Sequence, residues 1–171
     1  QWAEQLGVHY FGVATIPEGI ELRESGITQP IMILGATQSR SQVEAIAHWQ
    51  LEPTLCTPEQ ALLFSKVLSE PLSVHLKIDT GMARLGYPWQ QGEEFVKQVQ
   101  DLPRLKIASV YSHLATADAL DPSFMKEQQK RFEQVIERLR AAGVTVPTLH
   151  LSNSAGTLCS QVFHYDMVRV G

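Results

Sequence analysis

The amino-acid sequence predicts an α/β fold built on parallel strands. Short apolar runs rich in β-branched residues alternate along the chain with segments whose apolar residues recur at helical spacing. Seven such runs occur, and a helical segment separates each from the next, which favours parallel strands joined by helical crossovers. The chain has 171 residues, of which 44% are hydrophobic and 19% charged. This length and composition are typical of one globular domain and argue against disorder.

The predicted elements of the first half of the chain alternate in a regular order. They are a helix at 1–6, strands at 8–15, 31–34 and 51–56, and helices at 17–25, at 40–49 and from 57 onward. Pro17 is typical of the first turn of a helix, and Gly26 is typical of its end. Val43 and Ile46 recur at helical spacing after the second strand. Thr57 is a favoured N-cap residue for the helix that follows it.

The second half repeats the alternation. It contains strands at 73–79, 105–113, 148–151 and 167–170, and helices at 92–102, 123–142 and 155–160, the long one ended by Gly143. Two architectures suit this pattern, an open doubly wound sheet and a TIM-type (β/α)8 barrel. A complete barrel of eight units needs about 250 residues. Seven units in 171 residues are typical of an incomplete barrel that lacks one unit.

Composition and charge exclude several classes of protein. The net charge of −4 gives no reason to expect nucleic acid as a partner. No apolar run approaches the roughly 20 residues that span a bilayer, so an integral membrane protein is not predicted. Cys56 and Cys159 fit a reducing compartment such as the cytoplasm, and their spacing does not suggest a metal site. Because the chain begins at Gln1 and ends one residue past a predicted strand, we expect it to be part of a longer protein.

Unusual polar residues collect where the predicted strands end. They are Arg84 after strand 73–79, His113 at the end of strand 105–113, Asn153 and Ser154 after strand 148–151, and Arg169 and Gly171 at the last strand. The carboxyl ends of barrel strands meet at one mouth, where barrel active sites are built. The convergence of two arginines, a histidine and an Asn-Ser pair there predicts a functional site.

The strand at 73–79 has two faces of different character. Its alternate residues are apolar on one face and ionisable on the other, namely Val74, Leu76 and Ile78 against His75, Lys77 and Asp79. If the apolar face packs under the helices, the ionisable side chains point into the barrel. A lysine buried there is costly unless it is paired or modified. The same alternation also fits an edge strand whose polar face meets water.

Each polar residue also has a purely structural interpretation. His113 taken alone fits a hydrogen-bonded structural histidine better than a catalytic one. Asn153 and Ser154 before a short helix fit an N-cap. They also fit a phosphate site, because a helix N-terminus presents free N–H groups. Arg169 fits an ion pair with an acidic neighbour.

Four blocks of sequence resemble one enzyme family. They are HLKIDTGMARLGY at 75–87, SHLATAD at 112–118, HLSNSAGTL at 150–158 and DMVRVG at 166–171. In order and spacing they resemble alanine racemase, and the stretch GVHYFGVATIPEGIELRESGITQPIMILG at 7–35 resembles the same family. The resemblance covers the whole chain. It implies that 1–171 is the pyridoxal 5′-phosphate-binding (β/α)8 barrel domain, cut at both ends and without its first strand, and that a β-domain follows it.

The resemblance also implies a role for each residue of the predicted site. Arg84 corresponds to the arginine that contacts the substrate carboxylate and the phenolic oxygen of the cofactor. Lys77 corresponds to a lysine that is carbamylated in many members and orients that arginine. His113 corresponds to the histidine against the pyridine ring, and Arg169 to the arginine at the pyridine nitrogen. The positions at the phosphate are Asn153, Ser154 and Gly171.

The reaction and the partners implied by the resemblance are equally specific. They are the interconversion of L-alanine and D-alanine for peptidoglycan, a small amino acid as substrate, and a head-to-tail homodimer in the cytoplasm. In this family the Schiff-base lysine ends the first strand and the tyrosine base comes from the second domain of the partner subunit. Neither is expected within this chain, so we expect 1–171 by itself to be inactive.

Two alternatives to alanine racemisation stay open. One is a racemase of the same family for serine or with broad specificity, because every amino acid offers a carboxylate to Arg84. The other is a non-catalytic barrel protein that binds pyridoxal phosphate. The block around Arg84 favours an enzyme, because a carrier has no need of a carboxylate clamp.

Overall fold

A parallel sheet with helices in its crossovers forms the structure, a computed structural model that describes residues 7–171. The strands are β1 Phe11–Val13, β2 Ile31–Ala36, β3 Glu52–Leu55, β4 Leu72–Asp79, β5 Tyr87–Pro88, β6 Leu105–Tyr111 and β7 Leu149–His150. The helices are α1 Ile16–Glu24, α2 Arg40–His48, α3 Pro58–Val67, α4 Gly92–Gln100, α5 Ser123–Ala141 and α6 Ser154–Cys159, with 3₁₀ turns at Trp89–Gln91 and Gln161–Phe163. The helix predicted at 1–6 lies outside the described residues.

The sheet is curled into a half-barrel. Its order is β1-β2-β3-β4-β6-β7 with every pair parallel, and β5 pairs with β4 off this path. The Tyr10 hydroxyl beside β1 lies 3.1 Å from Nε2 of His75 on β4, although β2 and β3 stand between. In a flat sheet three strand spacings would separate these strands by about 14 Å. The prediction of an incomplete TIM-type barrel is therefore confirmed, and the open doubly wound sheet is excluded.

The two faces of β4 separate as the alternation predicts. The apolar side chains of Val74, Leu76 and Ile78 are fully buried in the core that the sheet shares with the helices. On the other face His75 and Lys77 are also buried, with exposed fractions of 1% and 5%. Because β4 lies between β3 and β6 in the sheet, the edge-strand interpretation is wrong. The interior of the half-barrel is lined by polar side chains.

Local capping fixes where the first helices begin. Thr15 and Ser39 cap α1 and α2, and Glu18 and Gln42 complete the two capping boxes. Thr57 caps α3, as the sequence predicts. Each of these helices begins shortly after the carboxyl end of a strand, so the caps also shape the loops at the mouth of the half-barrel.

The strand predicted at 167–170 is wrong. In the described part of that segment, Met167 forms only an isolated bridge with His150. The N–H of Arg169 donates to the carbonyl of Ser152 at 3.1 Å, beyond the end of β7. The segment is therefore tied to the end of β7 at separate points and forms no regular ladder, and the side chain of Arg169 is directed toward the interior.

Several other element ends differ from the prediction. The first strand covers only 11–13 of the predicted 8–15, because Thr15 already caps α1. The strand β6 ends at Tyr111, so His113 lies in the loop that follows it. The short strand β5 and the 3₁₀ turn after it were not predicted. Among residues 7–171 no helix is both long enough and apolar enough to cross a membrane.

Candidate functional site

Arg169 is the centre of a polar cluster at the carboxyl ends of β6 and β7. Its Nη1 donates to Nδ1 of His150 at 2.6 Å, and its Nη2 donates to the carbonyls of Ser112 at 2.9 Å and Leu151 at 3.0 Å. Its Cζ lies 5.2 Å from the centroid of the Tyr111 ring. Burial lowers the pKa of Arg169 to about 10, which leaves the guanidinium charged at neutral pH. The hydrogen bonds described for this guanidinium go to carbonyls and imidazoles, so the ion pair that the sequence allowed is not formed.

His113 lies beside Arg169 and is half-buried. Its Nδ1 is 3.4 Å from Nη2 of Arg169. Burial, together with the charges of Arg169, Lys77 and Arg84, lowers the pKa of His113 to about 4. The imidazole is therefore neutral at neutral pH. Because a guanidinium can only donate, Nδ1 accepts and the proton of His113 sits on Nε2.

Lys77 is a buried amine among cations. Its Nζ lies 5.5 Å from the centroid of the Tyr111 ring, the same ring that Arg169 faces. Burial lowers the pKa of Lys77, and the charges of Arg84 and Arg169 act in the same direction, whereas Cys56 and the carboxylate of Asp79 oppose them. Within residues 7–171 no carboxylate oxygen lies within 4.0 Å of Nζ. The interior thus carries an excess of positive charge around Lys77.

Arg84 stands in a tight turn between β4 and β5. The Oδ1 of Asp79 accepts from the N–H of Gly81 at 2.9 Å, which holds the start of the turn. Gly86 ends it with a φ of +127°, and a Cβ there would lie 2.7 Å from the backbone nitrogen of Asp79. Only glycine fits this position. The exposed side chain of Arg84 lines a cavity of about 430 Å³, together with Cys56 and Gly86.

Asn153 and Ser154, predicted as an N-cap or as a phosphate site, make different contacts. The Oδ1 of Asn153 accepts from the N–H of Gly156 at 2.9 Å and so caps α6, while its Nδ2 donates to the carbonyl of Leu114 at 3.2 Å. The Oγ of Ser154 lies 3.1 Å from the carbonyl oxygen of Gly171 and 3.2 Å from its nitrogen. Asn153 thus caps α6, and Ser154 and Gly171 bring a hydroxyl and an amide together at the mouth; the phosphate role of Asn153, Ser154 and Gly171 stays a prediction.

Gln128 on α5 completes the site, although the sequence analysis did not single it out. Its Nε2 donates to the carbonyl of His113 at 2.9 Å and to Oγ1 of Thr80 at 3.2 Å, and its Oε1 accepts from the N–H of Ala115 at 2.8 Å. This fully buried amide ties together the loops after β4 and β6. In the sequence, Gln128 is a polar residue within the apolar face of the helix predicted at 123–142.

Side chains on the inner face of β6 and β7 were also missed. The Tyr111 hydroxyl lies 2.9 Å from Oγ1 of Thr54, and its ring stacks on His150 with centroids 4.6 Å apart. Ser109, two residues before Tyr111, shares this face. Ser109 and Tyr111 pair in register with His75 and Lys77 of β4, and like them they alternate with apolar residues in the sequence.

Known proteins share both this sequence and this fold. The sequence profile described as "Alanine racemase, N-terminal domain" matches residues 1–171. The chain belongs to the alanine racemase family. Alanine racemases from Nostoc sp. and Synechocystis sp. are each 56% identical to it across 100% of this chain, which spans 46% and 47% of those proteins. The family resemblance of the four sequence blocks is confirmed.

Solved structures agree with the family assignment. The alanine racemase of Clostridium difficile has a TM-score of 0.95 to this chain at 31% identity, over 99% of this chain and 48% of that one. A histidine racemase of Leuconostoc mesenteroides has a TM-score of 0.87 at 26% identity, over 99% of this chain and 46% of that one. The chain thus spans about half the length of the alanine racemases and the histidine racemase that it matches.

The residues of the site fit pyridoxal phosphate, the cofactor that the family resemblance implies. Ser154 and Gly171, which hydrogen-bond each other in this structure, supply a hydroxyl and an amide that would suit phosphate oxygens. The charged guanidinium of Arg169 suits an acceptor such as a ring nitrogen. In the part of the chain that the structure describes, no group of three or more His, Cys, Asp or Glu side chains could hold a metal ion.

Proposed function

We propose that this chain is the cofactor-binding part of a racemase that interconverts L-alanine and D-alanine with pyridoxal phosphate. The observation that carries the proposal is the meeting of Arg169, His113 and the pair Ser154–Gly171 at one mouth of the half-barrel. The names of its relatives supply the reaction class. Because the chain spans 46% of the Nostoc relative, the activity is proposed for the complete protein.

The geometry supports a distinct task for each residue at the cofactor. Ser154 and Gly171 would bind its phosphate, His113 would lie against its ring, and Arg169 would meet its ring nitrogen. When bound, pyridoxal phosphate supplies the electron sink that makes the α-proton of an amino acid acidic. With a pKa of about 10, Arg169 keeps its proton at neutral pH and donates only a hydrogen bond. An unprotonated ring nitrogen is a weaker sink, which favours proton removal and return over other chemistry.

Arg84 would bind the carboxylate of the substrate. A guanidinium offers a fork of donors that matches a carboxylate, and Arg84 is exposed at the cavity beside Cys56. Since every amino acid has this carboxylate, Arg84 selects the class of substrate and not its side chain. The assay therefore includes two other substrates. They are serine and histidine, the latter because a histidine racemase has the same fold.

A chiral assay of the complete, cofactor-loaded protein tests the proposal. With alanine, serine and histidine as substrates, we expect alanine to give the highest kcat/KM. The variant Arg84→Met should lose about 100-fold in kcat/KM, because charge-assisted hydrogen bonds to the carboxylate disappear. Glu44→Gln, at a side chain that is 55% exposed on α2, is the matched control. Binding of pyridoxal phosphate without racemisation of any amino acid would identify a non-catalytic binding protein instead.

We also propose that Lys77 carries a carbamate. Its neutral amine would attack CO₂, form an N–C bond and release one proton, leaving an anion. The lowered pKa of Lys77 favours the neutral amine. The negative charge of the carbamate would offset the positive charges of Arg84 and Arg169. Carbon-13 NMR after equilibration with ¹³C-bicarbonate should show a carbamate resonance that Lys77→Met removes. Lys97→Met, at a side chain 46% exposed on α4, should keep it, and a wild-type spectrum without it would refute the modification.

The remaining proposals rest on the family alone. They are a head-to-tail homodimer completed by a β-domain, a cytoplasmic location and the supply of D-alanine for peptidoglycan. The family's lysine and tyrosine bases do not correspond to residues of this chain, so purified 1–171 with added pyridoxal phosphate should not racemise alanine. Turnover by purified 1–171 would contradict this proposal, and light scattering of the complete protein tests the dimer.

A further inference from the structure

A line of hydrogen bonds crosses the interior of the half-barrel beneath Arg169. It links Arg169 Nη1 to His150 Nδ1 at 2.6 Å, His150 Nε2 to Ser109 Oγ at 2.9 Å, Ser109 Oγ to His75 Nδ1 at 2.6 Å, and His75 Nε2 to Glu52 Oε2 at 2.9 Å. Glu52 is the first residue of β3, so the line ends at the amino end of the strands. It therefore leads from the mouth to the opposite end of the half-barrel.

The four residues of the line beyond Arg169 are largely buried and have no part in the proposed reaction. His150, Ser109 and His75 have exposed fractions of 0%, 1% and 1%. The side chain of Glu52 is 16% exposed. Polar groups buried to this extent destabilise a fold unless each finds a partner. An apolar filling of the same space would avoid that cost, which points to a role beyond packing.

The position of every proton in the line follows from Arg169. A guanidinium has no acceptor, so Nδ1 of His150 accepts and its proton sits on Nε2. That N–H donates to Ser109, whose hydroxyl is then free to donate to Nδ1 of His75. His75 in turn carries its proton on Nε2 and donates it to the carboxylate. A doubly protonated His75 would point a second donor at the Ser109 oxygen and leave the serine proton without a place in the line.

We propose that Glu52 and His75 are positioning residues for Arg169. In every hydrogen bond of the line, the donor lies on the Arg169 side and the acceptor on the Glu52 side. The accepting lone pair of each group therefore faces toward Arg169. Aligned hydrogen bonds of this kind polarise one another, and the carboxylate at the far end extends the polarisation to Arg169. The line thereby holds the guanidinium in one orientation and in its charged form. The proposal rests on the proposed function in assigning Arg169 to the ring nitrogen of the cofactor.

Two observations support this direction of the line. Burial lowers the pKa of His150 far below its usual range, and the charge of Arg169 and any charge on His75 act in the same direction, so His150 is a neutral acceptor. The Tyr10 hydroxyl lies 3.1 Å from the same His75 nitrogen that faces Glu52. A hydroxyl can donate or accept, so the direction on this side is set by the Glu52 carboxylate, which when ionised can only accept from Nε2 of His75.

Solid-state NMR of the complete, cofactor-loaded protein with ¹⁵N-labelled histidine tests the proton order directly. We expect both His75 and His150 to be neutral, with the proton on Nε2. A proton on Nδ1 of His150, or a doubly protonated His75, would overturn the proposal. This measurement does not depend on racemisation, so it separates the failure of the line from the failure of the proposed function.

Reconstitution of the complete apoprotein with pyridoxal phosphate tests the effect on Arg169. Ser109→Ala breaks the line and should weaken cofactor affinity about tenfold, whereas Ser109→Thr keeps a hydroxyl and should restore it. Glu52→Gln keeps an acceptor but removes the charge, and should weaken affinity about threefold with unchanged tautomers and a shifted absorption spectrum of the bound cofactor. Glu44→Gln on the surface is the control. Wild-type affinity and spectrum in both Ser109→Ala and Glu52→Gln would overturn the proposal.

Discussion

His113 stays neutral because burial and its cationic neighbours both oppose protonation. Its pKa of about 4 lies below the ordinary value of 6.5. Between these two pH values the unfolded chain binds a proton that the folded chain does not. The contribution of His113 to stability is therefore complete above pH 6.5 and is lost as the pH falls toward 4.

This shift predicts a pH-dependent melting temperature. The Tm of the protein should fall as the pH is lowered from 7.5 to 4.5, and His113→Gln should lose less of its Tm over the same range because it has no such group to protonate. Calorimetry at the two pH values measures both. His48→Gln, which removes an exposed histidine on α2, is the control and should follow the wild type. Equal losses of Tm in His113→Gln and wild type would contradict the assignment.

The residues of the site differ in how far the sequence could predict them. Arg84 and His113 could be placed at the mouth because each follows a strand, and parallel strands bring their carboxyl ends to one side, whereas Arg169 lies in a segment where the predicted strand does not form. Their protonation could not be predicted, since the state of His113 depends on Arg169, which is 56 positions away in sequence and 3.4 Å away in space. Gln128 was missed because its three partners lie on two other loops. The roles at the cofactor came from the family resemblance, since spacing alone left several interpretations open.

Glycine at position 86 determines the path of the turn that carries Arg84. A side chain there would meet the backbone of Asp79 at 2.7 Å, and the φ of +127° is strained for any other residue. Gly143 after α5 also has a positive φ, of +71°, but a Cβ there would meet nothing within 4 Å. A side chain at Gly143 would therefore meet backbone strain alone, whereas a side chain at Gly86 would meet both backbone strain and steric overlap.

Alanine substitutions at the two glycines should therefore have different costs. Gly143→Ala should lower the free energy of unfolding by about 1 kcal/mol, the cost of a left-handed conformation. Gly86→Ala should lower it by about 3 kcal/mol or more, because backbone must move as well. It should also raise the KM for alanine in the complete protein, since Arg84 moves with the turn. Urea unfolding measures the stabilities, and equal costs would show that the turn can yield without strain.

Helix starts were predicted better than strand ends. The N-caps Thr15, Ser39 and Thr57 act on residues three positions away, so a local sequence pattern determines them. The length of a strand depends on where its neighbours end, which the local sequence does not contain. The apolar pattern at 167–170 fits a strand, but the segment meets β7 only at isolated points, because β7 itself covers only Leu149–His150 and offers little strand to pair with.

At the scale of the molecule, curvature creates the polar interior. The contact of Tyr10, beside β1, with His75 on β4 and that of Thr54 with Tyr111 join parts of the sheet that are not neighbours. They require the inner face to be concave. Helices cover the outer face, where Val74, Leu76 and Ile78 are buried. The alternation along β4 therefore predicts both the polar interior and the apolar layer under the helices. The curvature of the sheet depends on all of its strands together, so one strand cannot predict it.

In the part of the chain that the structure describes, β1 lies at an edge of the sheet, with a consequence for self-association of this part of the chain. Within residues 7–171, β1 pairs with β2 alone, and an open edge offers unpaired N–H and C=O groups to a second chain. Gly12 is exposed on this edge, and a Cβ there would make an ordinary contact of 3.6 Å with Leu34. The position can thus accept a lysine, whose charge opposes edge pairing.

Purified 1–171 should therefore associate as its concentration rises, and Gly12→Lys should reduce this association without lowering Tm. Gln98→Lys, which adds the same charge at an exposed position of α4, controls for the general effect of charge on solubility and should associate like the wild type. Light scattering across a concentration series measures all three. If Gln98→Lys reduced association as much as Gly12→Lys, net charge would be responsible and the edge at β1 would not be the contact.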